Sequence, residues 1–253
     1  MHRFYLPPSD CRGDALTLAG HEAHHALRVL RVEDGERIMI LDGAGSELSC
    51  EVTSHRRDSL SLRVIERKAI TPLPFGVTLL QAIPKGKIFE SIIQKATELG
   101  GARIVPIVSE RVVTHFDAPG AEAKRVKWQH VAIEAIKQCG SAWLPKVEAP
   151  LTPTEFLQRR ESFDLSLVAC LEKGSRHSRV WFEQFFSAHK HLPGSVALWV
   201  GPEGDFTPAE YAAIRNSGAL PITLGPLVLR VETAATCALS VVNHELQAER
   251  SPA

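Results

Sequence analysis

The chain has 253 residues, more than the ~100–200 of a single ordinary domain, and its 44% hydrophobic and 23% charged content allows a sizeable core and excludes a disordered chain. Its 29 basic and 29 acidic side chains cancel, so no global field points to a nucleic-acid partner. Five scattered cysteines, never in a CxxC arrangement, fit reduced thiols and not a disulfide framework or a thiolate metal centre. No uncharged apolar run of eighteen residues is present and the start MHRFYLPPSDCRGD lacks a signal-type apolar segment, which points to a cytoplasmic protein with no membrane partner.

From Arg3 to about Ile70 the pattern is one of short strands: RFYL, ALTL, RIMILDG, ELSCEVTS and SLSLRVIER, with turns at Glu33-Asp34-Gly35 and Asp42-Gly43-Ala44-Gly45. This reads as a small β-barrel. One helix, HEAHHALRVLRV, interrupts it, with Ala26, Leu27, Val29 and Leu30 available for an apolar face. Thr71-Pro72-Leu73-Pro74 favours extended backbone, and the boundary between a first domain of residues 1–72 and a second of 73–253 is expected there.

Beyond it strands alternate with helices: VTLLQAI, the helix GKIFESIIQKATELG, RIVPIV, the helix AEAKRVKWQHVAIEAIKQC, DLSLVACL, ALWV, a helix from Thr207, PITL, and a last helix from Glu232 to about Gln247. Such alternation implies an α/β domain with a parallel sheet covered on both faces. Ligands of open sheets bind beyond the carboxyl ends of the strands.

His21-Glu22-Ala23-His24-His25 has the form H-E-x-x-H of a zinc hydrolase. Gly20 precedes it directly and no third ligand stands at the usual distance, so a polar first turn of the helix is the preferred reading and no metal is expected.

Two strand ends break sharply into loops. In LWVGPEGDFTPAEY, Thr207-Pro208-Ala209-Glu210 has the capping-box form, which makes Gly201 to Phe206 a tight loop whose glycines let backbone approach a ligand. In PITLGPLVLRVETAATCALSVV, apolar residues continue past Gly225-Pro226 before Arg230-Val231-Glu232 opens a helix. Leucines around free backbone amides suit a flat, neutral heteroaromatic such as adenine.

VGPEGDFTPAE and LGPLVLRVETAATCALSVV resemble the paired signatures of the SPOUT-superfamily RNA methyltransferases, specifically the RsmE family, which methylates N3 of a uridine in small-subunit ribosomal RNA. Further likeness lies in His25 with Arg28-Val29-Leu30-Arg31, Asp42-Gly43, KGKIFESIIQKATELG, Pro106 with Ser109-Glu110-Arg111, Glu134-Ala135 with Gln138, and Pro145. The resemblance implies a PUA-like RNA-binding barrel followed by a SPOUT α/β domain with a trefoil knot, a homodimer, and S-adenosyl-L-methionine as cofactor. It implies cofactor contacts at Leu171, Glu172, Val200, Gly201, Leu224, Gly225 and Leu229. It implies RNA contacts at Arg3, His25, Arg28 and Arg31, and 16S ribosomal RNA of the small subunit as partner. Glu203 or Glu232 is then expected to accept the uracil N3 proton, and Arg230 and Arg111 to stabilise the uracil anion. Ser141 and Leu227 stand where the family usually has arginine, and Asp205 where glycine is common. Action on another base or on ribose is the alternative reading.

Overall fold

The structure is a computed structural model that describes residues 1–111, 116–172 and 174–248. It divides into two compact units: Met1–Pro72 joined by Ile133–Leu144, and Leu73–Ala132 with Pro145–Ala253.

The first unit is a five-stranded sheet of β1 (Arg3–Tyr5), β2 (Ala15–Ala19), β3 (Arg37–Leu41), β4 (Ser46–His55) and β5 (Ser59–Ala69), in the order β1-β3-β4-β5-β2. Its strands alternate as a half-buried sheet must: Leu16 and Leu18, Ile38 and Ile40, Leu48, Cys50 and Val52, and Leu60 and Leu62 all point into one core. The turn at Asp42 is held by its own side chain, whose Oδ1 accepts the N–H of Ala44 at 2.8 Å and of Ser46 at 2.7 Å. Gly45 has φ +97°, and a Cβ there would stand 2.4 Å from the Trp143 ring, so the turn requires glycine twice over.

The helix of this unit begins as α1 (Gly20–His24) and continues as π-helix over His25–Leu30, stopped by Arg31 in the left-handed conformation. Ala23 and Ala26 are buried, and Leu27 and Leu30 pack against the same core. Val29, expected on that apolar face, is instead 62% exposed, because Ala23, Ala26, Leu27 and Leu30 hold the i, i+3, i+4 and i+7 positions that face the core and Val29 falls outside that stripe.

The second unit carries a six-stranded, all-parallel sheet of β6 (Gly76–Ala82), β7 (Arg103–Ile107), β8 (Lys146–Val147), β9 (Leu165–Ala169), β10 (Ser195–Val200) and β11 (Leu220–Ile222). Their order is β11-β9-β10-β6-β7-β8. The helices are α2 (Ile88–Glu98), α3 (Ala118–Cys139), α4 (Pro153–Gln158), α5 (Ser178–His189), α6 (Pro208–Asn216) and α7 (Val231–Gln247). Phe156 of α4 and Tyr211 and Ile214 of α6 close one face over Leu80, Val105, Val168 and Trp199, while α7 packs on β6 and β10 beside α2 and α5. Two of these helices, α4 and α5, were absent from the expected alternation. Among the described residues no helix is long and apolar enough to cross a membrane.

Candidate active site at the carboxyl ends of β9, β10 and β11

β9, β10 and β11 run parallel, so the loops that leave their carboxyl ends emerge on one side of the sheet. A cavity opens among these loops. Cys170 and Leu171 line it from the first, Val200, Gly201, Pro202, Glu203 and Asp205 from the second, Leu224, Gly225, Leu227, Val228 and Leu229 from the third, and Val231 and Ala234 close it from α7. Six residues that the sequence singled out for cofactor contact thus share one cavity: Leu171, Val200, Gly201, Leu224, Gly225 and Leu229. The seventh, Glu172, lines a neighbouring cavity with Arg176 and Arg215 instead.

The loop after β10 is tightly wound. Asp205 has φ +59°, a region that glycine enters freely and other residues rarely do. Its Oδ1 accepts the N–H of Phe206 at 2.8 Å, and a Cβ on Gly201 would lie 2.6 Å from that oxygen and 3.2 Å from the Phe206 nitrogen. Burial pushes the Asp205 carboxyl above the usual aspartate range, with Glu172 adding to the rise while the Phe206 N–H and Arg111 oppose it. Asp205 therefore brings a carboxyl into the cavity wall, which its appearance as a mere departure in sequence gave no reason to expect.

Glu203 Oε1 accepts the backbone N–H of Lys85 at 3.0 Å, tying the loop after β6 to this wall. Arg111 Nη1 donates to the carbonyl of Gly204. The residues leading to Arg111 are anchored by Glu210, whose carboxylate accepts Ser109 Oγ at 2.8 Å and Glu110 N–H at 2.9 Å. Glu210 is also the third residue of the α6 capping box, formed with Thr207. Arg230 is the N-cap residue of α7 and is exposed, and Glu232 sits half-buried in the first turn; among the described residues neither side chain has an ion-pair or hydrogen-bond partner. The leucine and valine walls fit an adenosine, and the carboxyls of Glu203 and Asp205 are opposite in sign to a sulfonium.

In the first unit, Arg28 and Arg31 are exposed. Arg3 is engaged: its Nη1 donates to the carbonyls of Lys137 at 3.3 Å and Gln138 at 3.2 Å, closing the carboxyl end of α3. His25 stacks edge-on to Phe4 with ring centroids 6.2 Å apart, and its buried Nδ1 has no partner among the described residues. In the H-E-x-x-H stretch, Glu22 accepts the Tyr5 N–H at 3.1 Å and the Lys137 ammonium at 2.7 Å. His21, Glu22 and Glu134 bring ligand atoms within 4.8 Å of one another, but the Lys137 Nζ is bonded to both carboxylates and supplies the positive charge a cation would bring.

Residues 71–243 match the RNA methyltransferase domain family, and residues 18–65 the RNA methyltransferase PUA domain. The chain is 33% identical to the ribosomal RNA small subunit methyltransferase E of Bacillus subtilis, covering 91% of this chain and 90% of the relative. It is 32% identical to the protein of that name from Synechocystis, covering 97% and 78%. Among solved structures, a putative methyltransferase from Legionella pneumophila in complex with S-adenosylmethionine is similar at TM-score 0.86 and 32% identity, covering 96% of each chain. The ribosomal RNA small subunit methyltransferase E from Neisseria gonorrhoeae, bound to S-adenosylmethionine, matches at TM-score 0.82 and 28% identity over 96% of this chain and 97% of that one. A family match across both units, with full-length relatives of one name, makes this chain a member of the ribosomal RNA small subunit methyltransferase E family.

Proposed function

We propose that the protein transfers a methyl group from S-adenosyl-L-methionine to N3 of a uridine in the 16S ribosomal RNA of the small subunit, in the cytoplasm. The observation that carries this reading is the meeting of Leu171, Val200, Gly201, Leu224, Gly225 and Leu229 in one apolar cavity at the ends of three neighbouring parallel strands. It agrees with the two solved relatives that hold S-adenosylmethionine.

When bound, S-adenosylmethionine supplies a methyl group already activated by its sulfonium, so the chain's own task is to position the base and manage a proton. Uracil N3 lies on the base-pairing edge and carries that proton, so the uridine must be unpaired. Glu203 accepts it: Lys85 fixes one carboxylate oxygen and leaves Oε2 for the proton. Arg111, held by the Gly204 carbonyl, and Arg230, at the mouth of α7, stabilise the charge that spreads to the uracil oxygens. Glu232 is the other carboxylate placed to take the proton, and Glu203→Gln and Glu232→Gln, assayed separately, decide between them.

Exposed Leu227 and Val228, at 73% and 79%, support a homodimer in which a second copy covers this edge of the cavity. The strand order, with β11 outside β9 and α7 returning over β10 and β6, supports a knotted carboxyl end. Of Arg3, His25, Arg28 and Arg31, the residues assigned to RNA, Arg28 and Arg31 are exposed with side chains free to reach it.

The test incubates purified small subunits from a strain lacking the enzyme with isotopically labelled cofactor and maps the product by mass spectrometry. Label at N3 of one 16S uridine is expected. Label on ribose, on a base carbon or in transfer RNA would overturn the substrate assignment.

A further inference from the structure

The cavity beside the cofactor loops has a different chemistry. It is lined by Glu172, Ser175, Arg176, Trp181, Tyr211 and Arg215. Two arginines lie against aromatic faces there: the Arg176 guanidinium is 5.4 Å from the Trp181 ring centroid, and that of Arg215 is 6.0 Å from the Tyr211 ring centroid. Among the described residues neither guanidinium has an ion-pair partner. Arg215 shares one long 3.5 Å hydrogen bond with Tyr211 Oη, and the Glu172 carboxylate, the one acidic group of the lining, pairs with neither. Among the described residues the lining carries one net positive charge, with most of two arginine forks left with their N–H edges free.

Arg215 stands in the last turn of α6 and Arg176 on a bridged loop. Arg176 adds a bridge to the outer edge of β11, its N–H donating to Pro221 O at 3.3 Å and its carbonyl accepting the Thr223 N–H at 3.0 Å. Trp181 is fixed in turn by its indole N–H on Pro221 O at 3.0 Å. Tyr211 Oη, Cys170 Sγ and Ser175 Oγ form a chain with 3.1 Å spacings that walls the cavity on the cofactor side. The two cavities meet within one loop: the cofactor cavity is lined through Leu171 and the arginine cavity begins at Glu172.

A stacked, pre-oriented arginine fork with no internal partner is the arrangement that binds a phosphodiester at little entropic cost. We propose that this cavity is an RNA subsite, in which Arg176 and Arg215 hold the backbone phosphate of a nucleotide flanking the target uridine. The proposal rests on the RNA methyltransferase reading above and adds to it the place where the strand beside the target base is held.

The test uses the full-length protein and its Arg176→Ala, Arg215→Ala and doubly substituted forms. Calorimetry with S-adenosylmethionine should give unchanged affinity in all of them. With small subunits as substrate, the double variant should raise KM about tenfold while kcat at saturation changes little. Binding to a short uridine-containing single-stranded RNA should weaken likewise, and its log–log salt dependence should flatten by about 0.7 for each phosphate that is no longer neutralised. Replacing the phosphate next to the uridine by an uncharged methylphosphonate should weaken binding to the wild type and leave the double variant unaffected. Arg176→Lys should recover only part of the loss, since an ammonium neither forks nor stacks in the same way. Unchanged KM and salt slope in the double variant would overturn the subsite while the methyltransferase reading stood. Failure of the wild type itself to methylate small subunits would remove that reading, and the subsite with it.

Discussion

Asp205 holds a left-handed backbone and a carboxyl withdrawn from water, two features that each oppose folding. Asp205→Gly is therefore expected to stabilise the protein by about 1 kcal/mol, read as a higher denaturant midpoint. The gain should depend on pH in a defined direction. A carboxyl whose folded-state pKa is raised costs nothing below its unfolded value, and the cost grows as pH climbs toward the raised one. The stabilisation should therefore be larger at pH 7 than at pH 3.5, and an equal gain at both would mean that backbone strain alone is relieved. Gly201 is the reverse case. A side chain there meets Asp205 and the Phe206 nitrogen, so Gly201→Val should push the loop into the cavity and abolish S-adenosylmethionine binding in calorimetry, and retained affinity would remove this loop from the site. The glycines were legible in the sequence because only glycine serves a sharp strand-to-helix break. The meaning of Asp205 was not, because its burial depends on walls supplied by residues far away in the chain.

At the scale of elements, the alternation of strands and helices and the capping box of α6 were legible, since both are written in local spacing. The helix α4 carries the same local signal, Thr152-Pro153-Thr154-Glu155, although it is absent from the expected alternation, as is α5. Trp181, Phe182, Phe185 and Phe186 of α5 do stand at helical spacing, but only Ser178 and Phe182 among its twelve residues are buried, and its start is marked by a histidine cap and not by a capping box. The π-helical turn at His25–Leu30 leaves no compositional mark. Glu210 shows how an element's end acquires a second task. The sequence places it as a cap, but only the fold brings Ser109 and Glu110, about a hundred positions earlier, onto the same carboxylate. Glu210→Ala should cost about 3 kcal/mol, from the lost cap and two donors left unpaired at a buried site. It should also lower methylation more than cofactor affinity, because the segment leading to Arg111 loses its anchor. Equal loss of both would assign Glu210 to the cavity and not to the arginine.

At the scale of the molecule, the first unit is completed by residues that the chain supplies only after much of the second has been made. Trp143 fills the space over Gly45, Leu144 bonds to Gly43, Arg3 closes the end of α3, and Lys137 neutralises Glu22. No local pattern joins a helix end at residue 137 to a glutamate at 22. A fragment of residues 1–72 is therefore expected to be loosely folded, with poor protection in hydrogen exchange, and to gain order when a peptide of residues 133–144 is added. A stable, fully protected fragment would show that the added segment is ornamental. During synthesis this discontinuity becomes a matter of timing. The amino-terminal unit leaves the ribosome first but cannot close until residue 144 has followed, so for some seventy residues of elongation, at ~5–20 residues per second, it waits half-built at the tunnel exit, open to chaperones and to the protease that finds it first.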